Sequence, residues 1–143
     1  MQISNGDNIC HLVKININHR KPLNLIKILK NDKILKIFHY ARFDVAVFKQ
    51  NFDIRVKNIY CTKIASKLAR TYTDKHGYKD LCSELLNKNI SKAEQSSDWG
   101  GELSSNQQKY AATDVLYLHK IKEKLDTMLI RENRMKLAKA CFD

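Results

Sequence analysis

The 143 residues are 43% hydrophobic with one Pro and four Gly, which suits a globular chain with one modest core and excludes a disordered one. Lys and Arg number 26 against 15 Asp and Glu, a formal charge of +11 that favours polyanionic partners, although lysines spread without a dense basic run also arise from AT-rich codon usage. No apolar run has membrane-spanning length, the start "MQISNGDNICHLV" has no signal-peptide pattern, and Cys10, Cys61, Cys82 and Cys141 lack zinc-ligand spacing, so a cytoplasmic protein with reduced thiols and no membrane partner is expected.

In chain order, "MQISNG" and "ICHLVKIN" flank the turn signal "NGDN" and read as a hairpin. "LNLIKILKN" has helical spacing, with Leu23, Ile26 and either Ile28 or Leu29 on one side. "KILKIFH", residues 33–39, is a β-branched run suited to a buried strand. It leads into "ARFDVAVFKQNF", a helix with Phe43, Val47 and Phe48 at helical intervals. "VKNIYC" is a second short strand, "TKIASKLARTY" a helix, "TDKHG" a break, and "YKDLCSELLNKN" a further helix. "SKAEQSSDWGGE" reads as loop. "LSSNQQKYAATDVLYLHKIKEKLDTML" reads as one long helix, capped by Ser104 or Ser105 with Gln107 or Gln108 three residues on. "RENRMKLAKACF" closes the chain as an amphipathic segment. This order, without repeats or linkers, predicts one α/β domain over residues 1–143.

Three stretches carry chemistry: "FHYARFDV" with Asp44 one turn into a helix, "QSSDWG", and "YAATDV", where Tyr110 lies one helical turn before Asp114 on the same face. Together these ordered motifs resemble the ribonuclease D family of 3′-to-5′ exonucleases, the DEDD branch whose last motif is Tyr-x-x-x-Asp. The resemblance runs from "QISNGD" to "YAATDVLYL". It implies a ribonuclease H-like exonuclease fold, a mixed sheet flanked by helices with a helical C-terminal part. It also implies two divalent ions, Mg²⁺ or Mn²⁺, held by carboxylates, because hard dications prefer such oxygens and can stabilise both the attacking and the leaving oxygen of a phosphodiester. By that resemblance Asp44 and Asp114 are metal ligands, and Tyr110 orients or helps deprotonate the attacking water. The implied substrate is a nucleic acid 3′ end, single-stranded RNA of the tRNA-precursor kind.

One departure stands against the pattern. The family's first motif, Asp-x-Glu on its first strand, occurs nowhere before "FHYARFDV", and Asp7 sits in the "NGDN" turn without a neighbouring Glu. The expectation is a fold incomplete at its N-terminus, with a gap between the hairpin and the "KILKIFH" strand, an incomplete two-metal site and impaired turnover. A split or decayed gene, an upstream start, or a second polypeptide supplying the strand each account for this. The rival reading is a non-catalytic nucleic-acid-binding module.

Further candidates are weighed beside these. Lys63, Lys67 and Arg70, spaced along one helix, meet phosphates or form a solvated basic face. Trp99 stacks on a base or packs the loop under the long helix. His39 ends a strand and is read as structural, and Glu84 and Glu94 have no motif to recommend them as ligands.

Overall fold

A computed structural model describes residues 1–15, 21–91 and 98–142. Two short strands, β1 (Gln2–Ile3) and β2 (His11–Leu12), form the expected antiparallel hairpin with Gln2 opposite Leu12. Its turn uses Gly6 at φ 90° and Asn8 at φ 66°, and the Asp7 carboxylate accepts the Ile9 N–H at 2.9 Å. Asp7 is therefore a turn residue here.

Helix α1 (Leu23–Lys30) buries Leu25 and Leu29, while Leu23 and Ile28, two of the expected core positions, stay exposed. Strand β3 (Lys36–Phe38) is shorter than the run 33–39. The preceding residues fold into a turn around the Lys36 ammonium, which donates to the carbonyls of Asn31 (2.5 Å) and Ile34 (2.8 Å). β3 pairs in parallel with β4 (Ile59–Cys61), Lys36 opposite Ile59 and Phe38 opposite Cys61, and α2 (Arg42–Phe52) makes the crossover. On α2 the buried pair is Phe48 and Phe52, whereas Phe43 and Val47 are exposed, at 60% and 56%. Residues four apart share a helix face, so of the expected stripe Phe48 faces the core, joined there by Phe52 in place of Phe43 and Val47.

Helices α3 (Thr62–Ala69), α4 (Tyr78–Leu86), α6 (Leu118–Arg131) and α7 (Met135–Phe142) enclose the larger core, centred on Ala65, Leu81, Cys82, Ile121, Leu125 and Leu129. A second core joins α1 and α2 through Leu25, Leu29, Phe48, Phe52, Ile54 and Val56. No helix among the described residues is long and apolar enough to cross a membrane.

The long helix expected over 103–129 is two helices. α5 (Ser105–Leu116) begins at the expected capping box: Ser104 Oγ accepts the Gln107 N–H at 3.2 Å, and Gln107 Oε1 accepts the Ser104 N–H at 2.8 Å. It ends at Tyr117 (φ −101°, ψ −3°), and α6 follows directly. The cause is the Tyr78 hydroxyl, which donates to the Thr113 carbonyl and receives the Tyr117 N–H at 3.4 Å. That carbonyl and that N–H would otherwise pair as an i to i−4 rung, so an inserted side chain breaks the helix three residues beyond Asp114.

The two strand pairs do not join. Among the described residues β1 and β3 each have one neighbouring strand, and residues of both line a cleft of about 760 Å³. Its floor is apolar, from Leu25, Leu29, Phe48 and Leu118. The gap expected beside the "KILKIFH" strand lies here.

Candidate active site

Asp44 stands in the first turn of α2 and Asp114 in the last turn of α5, and both line this cleft. Each residue is exposed overall, yet the apolar walls withdraw water from each carboxyl group and hold its pKa above the ordinary 3.8. A neighbouring ammonium, that of Lys79, partly offsets this at Asp114. Among the described residues neither carboxylate forms an ion pair. Two carboxylates without an ion-pair partner among the described residues, lining one cleft, suit a hard dication such as Mg²⁺ or Mn²⁺. No group of three or more His, Cys, Asp and Glu side chains able to hold a metal ion is found among the described residues, so the carboxylates present do not complete a two-ion site.

Tyr110 is carried on α5 one turn before Asp114. Its ring lies 6.1 Å from that of Trp99 and 5.5 Å from the Lys79 ammonium. The Trp99 ring thus packs on α5, and Gln107, buried, ties the same loop down by donating to the Asp98 carbonyl at 2.6 Å. Gln95, Ser96 and Ser97 of the "QSSDWG" stretch, and Glu94, lie outside the described residues.

The three basic candidates part company. Lys63 is half-buried, with its ammonium 3.8 Å from the centre of the Tyr40 ring, and Lys67 is exposed. Arg70 is fully buried, and its guanidinium is engaged by Glu84, by Ser66 Oγ at 3.0 Å and by the Lys75 carbonyl at 2.7 Å. It has no donor to offer a phosphate on the surface, which corrects its assignment to nucleic-acid binding. The same pair removes Glu84 from the metal question.

Two side chains around the cleft, Tyr78 and His119, carry no signal in the sequence, and a third, His39, makes the hydrogen bond expected of a structural histidine. His39 lines it, and its Nδ1 lies 2.9 Å from the Thr62 hydroxyl, which donates its one proton to the Phe38 carbonyl at 3.2 Å. Nδ1 must then be the protonated nitrogen, leaving Nε2 as an acceptor. Burial, and then the Lys63 charge, push the His39 pKa down to about 4, so the ring is neutral at physiological pH. Tyr78 both lines the cleft and breaks the helix after Asp114. His119 lines it too, with a buried Nδ1 that has no hydrogen-bond partner, and its ring lies so close to Gly6 that a Cβ there would meet it at 3.0 Å. Only the spacing of His119 from Asp114 was visible in the sequence, and one turn and a half of helix is no signal of a cleft.

With this geometry in place, comparison with known proteins is informative. A family model described as 3′-5′ exonuclease matches residues 1–130. Ribonuclease D of Acidiphilium cryptum (strain JF-5) is 36% identical over 106 residues, which is 73% of this chain and 27% of that protein. Brucella melitensis NrnC with bound Mg²⁺ superposes with a TM-score of 0.92 at 51% identity, covering 99% of this chain and 69% of the other. The same protein bound to pGG gives 0.92 at 53% identity over the same shares. The chain thus spans about a quarter of the length of the curated ribonuclease D and about two thirds of the solved NrnC chains.

Proposed function

We propose, on the premise that this chain belongs to the 3′-5′ exonuclease family, that its residues form the cleft and two of the carboxylate ligands of a metal-dependent nuclease that shortens RNA from the 3′ end. The observation that carries the reading is the convergence of Asp44 and Asp114, from different helices, on one dehydrated cleft with Tyr110 one turn behind Asp114. A divalent ion between the carboxylates would supply Lewis-acid stabilisation of the phosphoryl oxygen and acidify a bound water. Asp44 and Asp114 would hold it from two sides of the cleft. Tyr110 would orient the attacking water through its hydroxyl, and the phenol would accept or relay its proton. Because NrnC is seen with bound Mg²⁺ in one structure and bound to pGG in another, a short oligonucleotide is the preferred substrate over a tRNA precursor.

The gap between β1 and β3 supports a second element of the reading. Two strand edges without a partner strand among the described residues, an apolar floor and the His119 Nδ1 are what an additional extended segment would satisfy. Such a segment, from the same polypeptide or a partner, would complete both the sheet and the acidic lining. Without it the 143 residues bind RNA and turn over little, since charge stabilisation at phosphorus supplies most of the rate.

The test is to incubate the purified chain with Mn²⁺ and pGG or a 3′-labelled single-stranded RNA. Salt-sensitive binding with little mononucleotide release is expected. Robust release that disappears in Asp114→Ala would refute the impairment. Absence of binding even at low salt would refute the nucleic-acid reading.

A further inference from the structure

Lys79 lies outside every motif considered above, and its setting calls for an anion. It stands in the first turn of α4 and is half-buried. Its ammonium lies 5.5 Å from the centre of the Tyr110 ring and close enough to Asp114 to draw that carboxyl's pKa down. No carboxylate lies within ion-pairing distance of it among the described residues, and its one hydrogen bond there is a long one, 3.4 Å, to the Ser91 carbonyl. An ammonium has three N–H donors, so most of its capacity is open. Asp80, its neighbour, is occupied in accepting the Gly77 N–H at 3.1 Å and caps the helix instead.

We infer that Lys79 is a further catalytic residue of this site, donating to a non-bridging oxygen of the phosphodiester that lies against Tyr110. The inference rests on the nuclease reading above. An RNA phosphate entering a cleft lined by Asp44 and Asp114 meets like charge. As water adds to phosphorus, further negative charge gathers on the non-bridging oxygens. The Lys79 ammonium, beside the Tyr110 ring and within electrostatic reach of Asp114, adds positive charge that offsets both effects. Lys63 and Lys67 are placed differently, the first over the Tyr40 ring and the second in solvent.

The experiment measures binding of a 5′-labelled heptameric RNA in Ca²⁺ across a salt series, for wild type, Lys79→Met, Lys79→Arg and, as a surface control, Lys124→Met. Neutralising one phosphate contact on a single strand lowers the slope of log K against log salt by about 0.7. Lys79→Met is expected to show that loss with roughly tenfold weaker binding at low salt. Lys79→Arg should keep the wild-type slope, and Lys124→Met should resemble wild type. A merely structural lysine would shift affinity, if at all, without changing the slope. Equal slopes for wild type and Lys79→Met overturn the inference while leaving the nuclease reading intact. A wild-type chain that does not bind overturns the nuclease reading itself and this inference with it. A Lys79→Met chain with an altered urea midpoint is judged by Lys79→Arg, where a wild-type affinity and slope support the contact and a lost slope refutes it.

Discussion

Replacing Arg70 with Met separates a structural arginine from an RNA-binding one. The guanidinium is fully buried at the end of α3 and reaches across to Glu84 on α4, bonding it through Nε at 3.2 Å and through Nη2. Nη1 donates to Ser66 Oγ and the Lys75 carbonyl, and Tyr72 Oη adds a 2.6 Å bond to the same carboxylate. Removing one member of a buried ion pair costs about 3–5 kcal/mol. Glu84 is 42% exposed, so its stranded carboxylate regains water and the cost of that partner falls. The Ser66 and Lys75 acceptors also lose their donor, at about 1 kcal/mol each. A total near 3 kcal/mol follows, or a fall in Tm of roughly 6–12 °C for a chain of this size. Urea unfolding at pH 7 of wild type, Arg70→Met, Glu84→Gln and the double variant should give a coupling energy of at least about 1 kcal/mol. The Glu84 pKa is held below the ordinary 4.5, first by the Arg70 hydrogen bond, so its contribution is whole above pH 4.5 and fades as pH falls below it. An Arg70→Met chain as stable as wild type but weaker on RNA would refute this assignment and restore Arg70 to the binding surface.

Two further outcomes follow from the cleft. The carboxyl pKa values of Asp44 and Asp114 are raised by burial, so the folded state holds more protons than the unfolded one and metal-free stability should fall as pH rises through the carboxylate range. Mn²⁺ should therefore raise Tm at pH 7, less so as pH drops toward 4, and Asp114→Asn should raise metal-free Tm while removing the Mn²⁺ shift; a Mn²⁺ shift that survives in Asp114→Asn counts against the ligand role. Gly6→Ala should cost about 1–2 kcal/mol, since Gly6 sits at φ 90° and its new Cβ would meet the His119 ring at 3.0 Å. Adding His119→Ala should recover the steric share, and an unchanged urea midpoint for Gly6→Ala would show that the Gly6 turn does not lie against His119.

What the sequence disclosed depended on how local its cause was. The hairpin follows from Asn5-Gly6-Asp7-Asn8, and the start of α5 from Ser104 and Gln107, because turn and cap chemistry acts over three or four residues. That Asp44 and Asp114 line one cleft was legible only through the order of several motifs, since nothing in either segment says that two helices share a cleft. The break at Tyr117 was illegible because its cause, the Tyr78 hydroxyl, lies 39 residues away in sequence. Arg70 misled because a basic residue at helical spacing resembles its neighbours Lys63 and Lys67 until the partner Glu84 is seen. That break has a consequence for chemistry. Continuing α5 straight on would fix the direction of α6 by helix geometry alone, whereas the inserted phenol lets α6 pack on α3 and α4 while Asp114 still faces the cleft. The same Tyr78 that lines the cleft thereby couples the position of the Asp114 carboxylate, the proposed ligand, to the main core.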